Sequence, residues 1–168
     1  MKIHSIFANL LEMRISKAQF VYFMTCNFPV TFFICLTYSL WASFDIDWLN
    51  FLYNFLIGYT ISNFVSAFVP LVKIGKWFTK KFNVPNETYS GNIKYRLLAV
   101  FIITMIFFIF VNPVLTTFNY FYYQKTDPLG AFLDWLISLP LVLVVSYLVS
   151  LVSDFFAYRL AKKIDKNF

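Results

Sequence analysis

Charge is what this chain has least of. Only 13% of its 168 residues are Asp, Glu, Lys or Arg, about half the share usual in soluble domains. The deficit is concentrated. Val21–Phe44, Trp48–Val72 and Leu97–Phe121 contain no charged residue, and Leu129–Phe156 contains only Asp134 and Asp154. Histidine is nearly missing as well. The one copy, His4, lies outside these stretches, which excludes a histidine-based triad or a histidine metal ligand within them. There is no glycine-rich phosphate loop and no pair of carboxylates deep in an apolar run, so neither nucleotide chemistry nor paired acid–base catalysis is expected. The two cysteines, Cys26 and Cys35, stand two and a half helical turns apart and face opposite sides. They can neither bridge nor share a metal, and they read as small apolar fillers. No enzyme activity and no cofactor are expected.

What is present is apolar surface, at 60% of residues. Each of the four runs reaches the roughly 20 residues that cross about 30 Å of hydrocarbon as a helix. One soluble core of this size has no room for four such segments. A barrel is excluded because its strands alternate apolar and polar, and these runs do not. The expected fold is all-α, a polytopic bundle of four transmembrane helices.

The net charge of +6 follows this threading. Lys2, Arg14 and Lys17 precede the first run. Lys73, Lys76, Lys80, Lys81, Lys94 and Arg96 lie between or beside the second and third. Arg159, Lys162, Lys163 and Lys166 follow the fourth. Only Lys125 sits elsewhere, in connections that carry Asp45, Asp47 and Asp127. The positive-inside rule then puts both termini and the middle loop in the cytoplasm of a multi-pass cell-membrane protein. The basic rim, Lys73, Lys76, Lys80, Lys81, Lys162 and Lys163, suits anionic lipid headgroups rather than nucleic acid.

Residues 1–17 carry Ile3, Ile6, Phe7, Leu10 and Leu11 at helical spacing. They predict an amphipathic helix lying on the inner surface. A first two-helix unit over 18–81, a cytoplasmic linker over 82–93 and a second unit over 94–168 follow. Asn86-Glu87-Thr88 matches a glycosylation sequon, but on the cytoplasmic side it has no meaning. Short connections at Asp45–Asp47 and Gln124–Pro128 make each unit an antiparallel hairpin. The units look duplicated. Each has a helix with a central Asn-and-Pro pair (Asn27 and Pro29; Asn112 and Pro113), a short acidic connection, a Trp-Leu, and a terminal Lys-Lys. An even number of spans per unit makes the two parallel, related about the membrane normal. Over Ala18–Lys81 and Lys94–Lys163 this pattern resembles a bacterial family of small membrane proteins with one or two copies of a two-helix unit, a family without an assigned activity. The layout is also similar to that of small tandem two-helix efflux proteins. Those share an acidic residue inside the first helix, and none stands there in this chain.

Polar residues at depth are the candidate functional groups. Asn27 and Asn63 fall at similar depth on the cytoplasmic side of their spans, about 7 and 4–5 Å from centre, and could pair. Asn112 lies just outside the centre of the third span. Pro29 and Pro113 free the carbonyls of Thr25 and Ile109, and matched breaks in two repeats point to a transport site. Asn27, Asn63, Asn112, Pro29 and Pro113 are therefore the candidate lining of a solute path. Polar glue between helices and plain kinks are the alternatives. Asp134 and Asp154 lie about 15 Å along the axis from Val144, at the hydrocarbon edge, and read as helix-end charges. Gly58, Ser62 and Ser66 in the second span, and Ser146, Ser150 and Ser153 in the fourth, form stripes suited to helix packing or to an oligomer interface. Trp41, Trp48, Tyr120, Tyr122, Tyr123 and Trp135 mark one boundary, with Trp77 and Tyr158 at the other.

Two roles fit these features. One is passage of a small uncharged or lipophilic solute between the two units. The other is a non-transporting accessory or assembly protein that docks a partner membrane protein, or a second copy of itself, and binds lipid.

Overall fold

A computed structural model describes residues 16–43, 46–84, 93–123 and 127–166. The N-terminal amphipathic segment and most of the linker, with its sequon, lie outside the described residues. Every element among them is a helix: α1 (Lys17–Ser43), α2 (Trp48–Phe68), α3 (Leu71–Lys81), α4 (Ile93–Tyr122) and α5 (Pro128–Ile164). Three of these are long and apolar enough to cross a membrane, or four spans if α2 and α3 count as one bent span.

Local chemistry sets the helix starts. Ser16 and Gln19 form a reciprocal capping box at α1: the Ser16 hydroxyl accepts from the Gln19 amide, and the Gln19 side chain accepts from the Ser16 amide, both at 3.1 Å. Asp47 caps α2 by accepting from the amides of Leu49 and Asn50. Asp127 caps α5 by accepting from Leu129, with Pro128 at the first helical position. The acidic connections are thus N-caps. Gly130 keeps the second cap in place, because a Cβ there would meet Asp127 Oδ2 at 2.6 Å.

The expected second span, Trp48–Val72, is not one straight helix. It breaks at Val69–Pro70, and α3 leaves α2 at 71°. Pro70 offers no amide hydrogen and forces the residue before it out of the helical region. Val69 is accordingly extended, at φ −94° and ψ 127°. Aligning the two Lys-Lys pairs puts Val152 where Pro70 stands, and there α5 runs on unbroken to Ile164. The short α3 buries Leu71, Gly75 and Thr79 and exposes Lys73, Lys76, Trp77 and Lys80. It therefore has one apolar and one basic face.

The long helices pack in the cyclic order α1, α2, α4, α5, with α1 most extensively against α5 and α3 lying on α4. Chain neighbours and the α1–α5 pair are antiparallel. Ala18 at the start of α1 meets Ala157 and Ala161 near the end of α5, in a cluster with Tyr22, Phe23 and Leu71. A second apolar cluster, Cys35, Phe51, Val111 and Leu115, sits toward the other end. Cys26 and Cys35 are both free thiols.

The distribution of side chains is inverted relative to a water-soluble domain. Asn27, Thr31, Asn50, Asn54, Ser62, Ser66, Thr104, Asn112, Ser146 and Asp154 are buried. Phe64, Ile109, Phe121, Val144 and Val152 are more than half exposed. In water, large apolar side chains exposed in such number would favour association.

Candidate functional site: a buried polar column

The buried polar groups stack in tiers along the inside of the helix assembly. The first tier lies at the lysine-rich end. Asp154 of α5 is 1% exposed. Its Oδ2 accepts from Arg96 Nη2 at 2.7 Å and Nε at 3.1 Å, and its Oδ1 accepts from the Tyr22 hydroxyl. Arg96 comes from α4 and Tyr22 from α1, so this carboxylate ties three helices together. The Phe155 ring lies 5.6 Å from the Arg96 guanidinium and 3.9 Å from that of Arg159, adding cation–π attraction. Asp154 is therefore not a helix-end charge reaching toward headgroups. A count of residues along the helix does not show which face of α5 carries the residue.

The second tier joins α1 to α2. Asn27 donates one amide hydrogen to Asn63 Oδ1 at 3.1 Å and one to the Ser66 hydroxyl at 3.0 Å. Ser66 in turn donates to the carbonyl of Ser62, and Asn63 to that of Tyr59. The structure thus brings Asn27 and Asn63 together.

The third tier is a cavity of about 30 Å³ at the middle of the assembly. Asn27, Ser62, Thr104, Asn112, Ser146 and Ser150 contribute its polar lining. Asn112 lies in it with both amide atoms, and Thr104 with its hydroxyl, lacking a partner among the described residues.

The fourth tier joins α2 to α4 near the opposite end. Asn54 and Asn119 exchange amide hydrogen bonds at 2.9 and 3.1 Å. Asn54 also donates to Asn50 Oδ1 at 2.8 Å, and Asn50 donates to the Tyr123 hydroxyl at 2.7 Å. Sequence reasoning passed over Asn50, Asn54 and Asn119. The available signal was the four-residue spacing of Asn50 and Asn54, which puts both on one face of a helix.

The prolines go elsewhere. Pro29 is half-buried in α1 and does not line the cavity. Pro113 is exposed and walls a lateral cleft of about 390 Å³ between α4 and α5, with Thr117, Phe121 and Trp135. The small-residue stripes face inward. Gly58, Ser62, Ser66, Ser146, Ser150 and Ser153 are all buried within this one chain. A Cβ on Gly58 would meet Thr31 Cγ2 at 3.0 Å and Leu115 Cδ1 at 3.5 Å, so α1, α2 and α4 approach closely there. Lys73, Lys76, Lys80, Lys81, Lys162 and Lys163 are all exposed. No group of three or more metal-ligating side chains occurs among the described residues.

Comparison with protein-family models, with characterised proteins and with solved structures gives no match to this chain.

Proposed function

We propose that the protein is a four-span integral membrane protein whose interior polar column lets a small uncharged, hydrogen-bonding solute pass. Its α1–α2 and α4–α5 hairpins act as two parallel units, in keeping with the two-helix-unit layout of the sequence. The lysine-rich end lies in the cytoplasm, and α3 rests on the inner surface. Its basic face meets anionic headgroups, and Trp77 sits at the boundary with Lys81 5.7 Å above its ring.

The observation that carries the reading is the amide of Asn112. Neither polar atom of this buried amide has a partner among the described residues, and an unmade hydrogen bond in an interior forfeits about 1–3 kcal/mol unless water or a solute supplies it. Polar glue would be paired, as Asn27, Asn54 and Asn119 are. An unpaired amide facing a cavity fits a group that meets a transient partner. The column also lacks any unpaired charge along its middle among the described residues, which favours a neutral solute over an ion. The accessory reading loses its main support, because the small-residue stripes that would dock a partner are already buried by the chain's own helices.

The test is flux in proteoliposomes. Asn112→Leu removes no protein hydrogen bond, so it leaves folding intact, and it should abolish permeation of small neutral solutes in stopped-flow shrinkage assays. Asn27→Leu is a weaker test, because it also breaks two interhelical bonds. Permeation of wild type no faster than empty vesicles, or unchanged by Asn112→Leu, would overturn the proposal.

A further inference from the structure

Three of the six buried side-chain polar atoms without a partner among the described residues, both amide atoms of Asn112 and the Thr104 hydroxyl, belong to residues lining the central cavity; the other three, on Tyr38, Thr116 and Trp135, lie outside it. Asn112 is 3% exposed and Thr104 is 4% exposed. Both belong to α4, and both face the central cavity opposite Ser62 of α2 and Ser146 and Ser150 of α5. Buried amides and hydroxyls in folded proteins are almost always satisfied, by ordered water where protein groups do not reach. Such a water needs about 10–15 Å³ of space for its centre and two to four polar partners. The cavity offers about 30 Å³, and its lining offers polar side chains from four helices.

We propose that this cavity is a water site holding roughly one or two molecules, with Asn112 and Thr104 as the anchors and the serines completing the hydrogen bonds. An ion does not fit, because no charged group lines the cavity and a bare ion there would meet no compensation. A dry cavity does not fit either, since empty cavities in proteins are apolar. The consequence for function rests on the pathway reading. A waist already wetted by water-sized molecules selects a solute that is neutral, of about that size, and able both to donate and to accept. Larger lipophilic molecules are shut out.

Radiolytic labelling of the full chain in aerated proteoliposomes tests the site: bound water converts to hydroxyl radical where it sits, the radical takes a hydrogen atom from a neighbouring side chain and leaves as water, and dissolved oxygen adds to the carbon radical left behind. Val111 and Val142 line the cavity and are 5% and 1% exposed; Leu115 is 0% exposed and does not line it. The expected result is oxygen addition at Val111 and Val142 with none at Leu115, and loss of that label in Asn112→Leu combined with Thr104→Val. Wild-type protein in which Val111 and Val142 stay as unlabelled as Leu115 would overturn the site without recourse to any variant. Label that persists in the double variant would overturn its anchors. Label without solute flux leaves the water site standing and removes the pathway reading. Flux without label does the reverse.

Discussion

Asp154 is the side chain whose environment departs most from what its position along the chain implies. It draws on Arg96 and Tyr22 from two other helices, and such an arrangement is asymmetric in energy. Breaking a buried pair from one side strands a charge and costs about 3–5 kcal/mol, whereas replacing both partners with apolar groups of similar size is often neutral. Arg96→Ala is therefore expected to lower stability by about 3 kcal/mol in denaturant titrations of the detergent-solubilised protein. Arg96→Met with Asp154→Leu should restore most of the loss. If the double variant is no more stable than the single one, the pair does more than hold three helices together. The pairing of Asn27 with Asn63 was legible because it needs only a count of residues along two antiparallel helices. The partners of Asp154 were not, since one residue of rotation decides between outward-facing and core-facing positions. Asn112 shows the same limit: its place along the helix was legible, its lack of a partner among the described residues was not.

At the scale of elements, glycine and proline explain most of the geometry. Gly58 and Gly75 both lie in helices but have different neighbours. A methyl on Gly75 would reach Ala99 Cβ at an ordinary 3.5 Å, while one on Gly58 would press on Thr31 at 3.0 Å, and Thr31 is itself buried. Alanine gains up to about 1 kcal/mol over glycine in a helix; overpacking a core costs about 1–3 kcal/mol. Gly75→Ala is thus expected to stabilise slightly and Gly58→Ala to destabilise, with thermal unfolding in detergent as the measurement. The break at Pro70 makes a separate prediction. With Pro70→Ala, α2 and α3 can join into one helix. The distance between spin labels at positions 64 and 77 should then lengthen toward about 20 Å, the rise of thirteen helical residues. An unchanged distance would mean that packing of Leu71 and Gly75 against α4, not the proline, sets the bend. The sequence places a proline, Pro70, inside the second run, which marks where a bend can fall but not how large it is. The depth of the bend depends on the surface that α3 finds on α4, which no local pattern encodes. It did encode the caps: Ser16, Asp47 and Asp127 each precede their helix by one residue.

Across the described residues, many hydrogen-bonding groups lie inside, beside two apolar clusters, and many large apolar side chains lie outside. That inversion agrees with the composition: four uncharged or nearly uncharged runs, bounded by lysines at one end and aspartates at the other. Helix class follows from run length, which is why it was legible; helix number was not, because the second run splits into α2 and α3. The cyclic order of the helices was not, because the dominant α1–α5 contact joins the two ends of the chain. The account as a whole depends on hydrocarbon surrounding these helices. Spin labels placed singly at positions 64, 109, 144 and 152 in lipid vesicles measure this directly, by comparing collision with oxygen, which concentrates in the bilayer, against collision with a water-soluble nickel chelate. The expected result is high oxygen and low nickel accessibility at all four, with oxygen highest at 109 and 144, nearest the bilayer centre. Four positions that collide freely with nickel would place these faces in water and contradict the account.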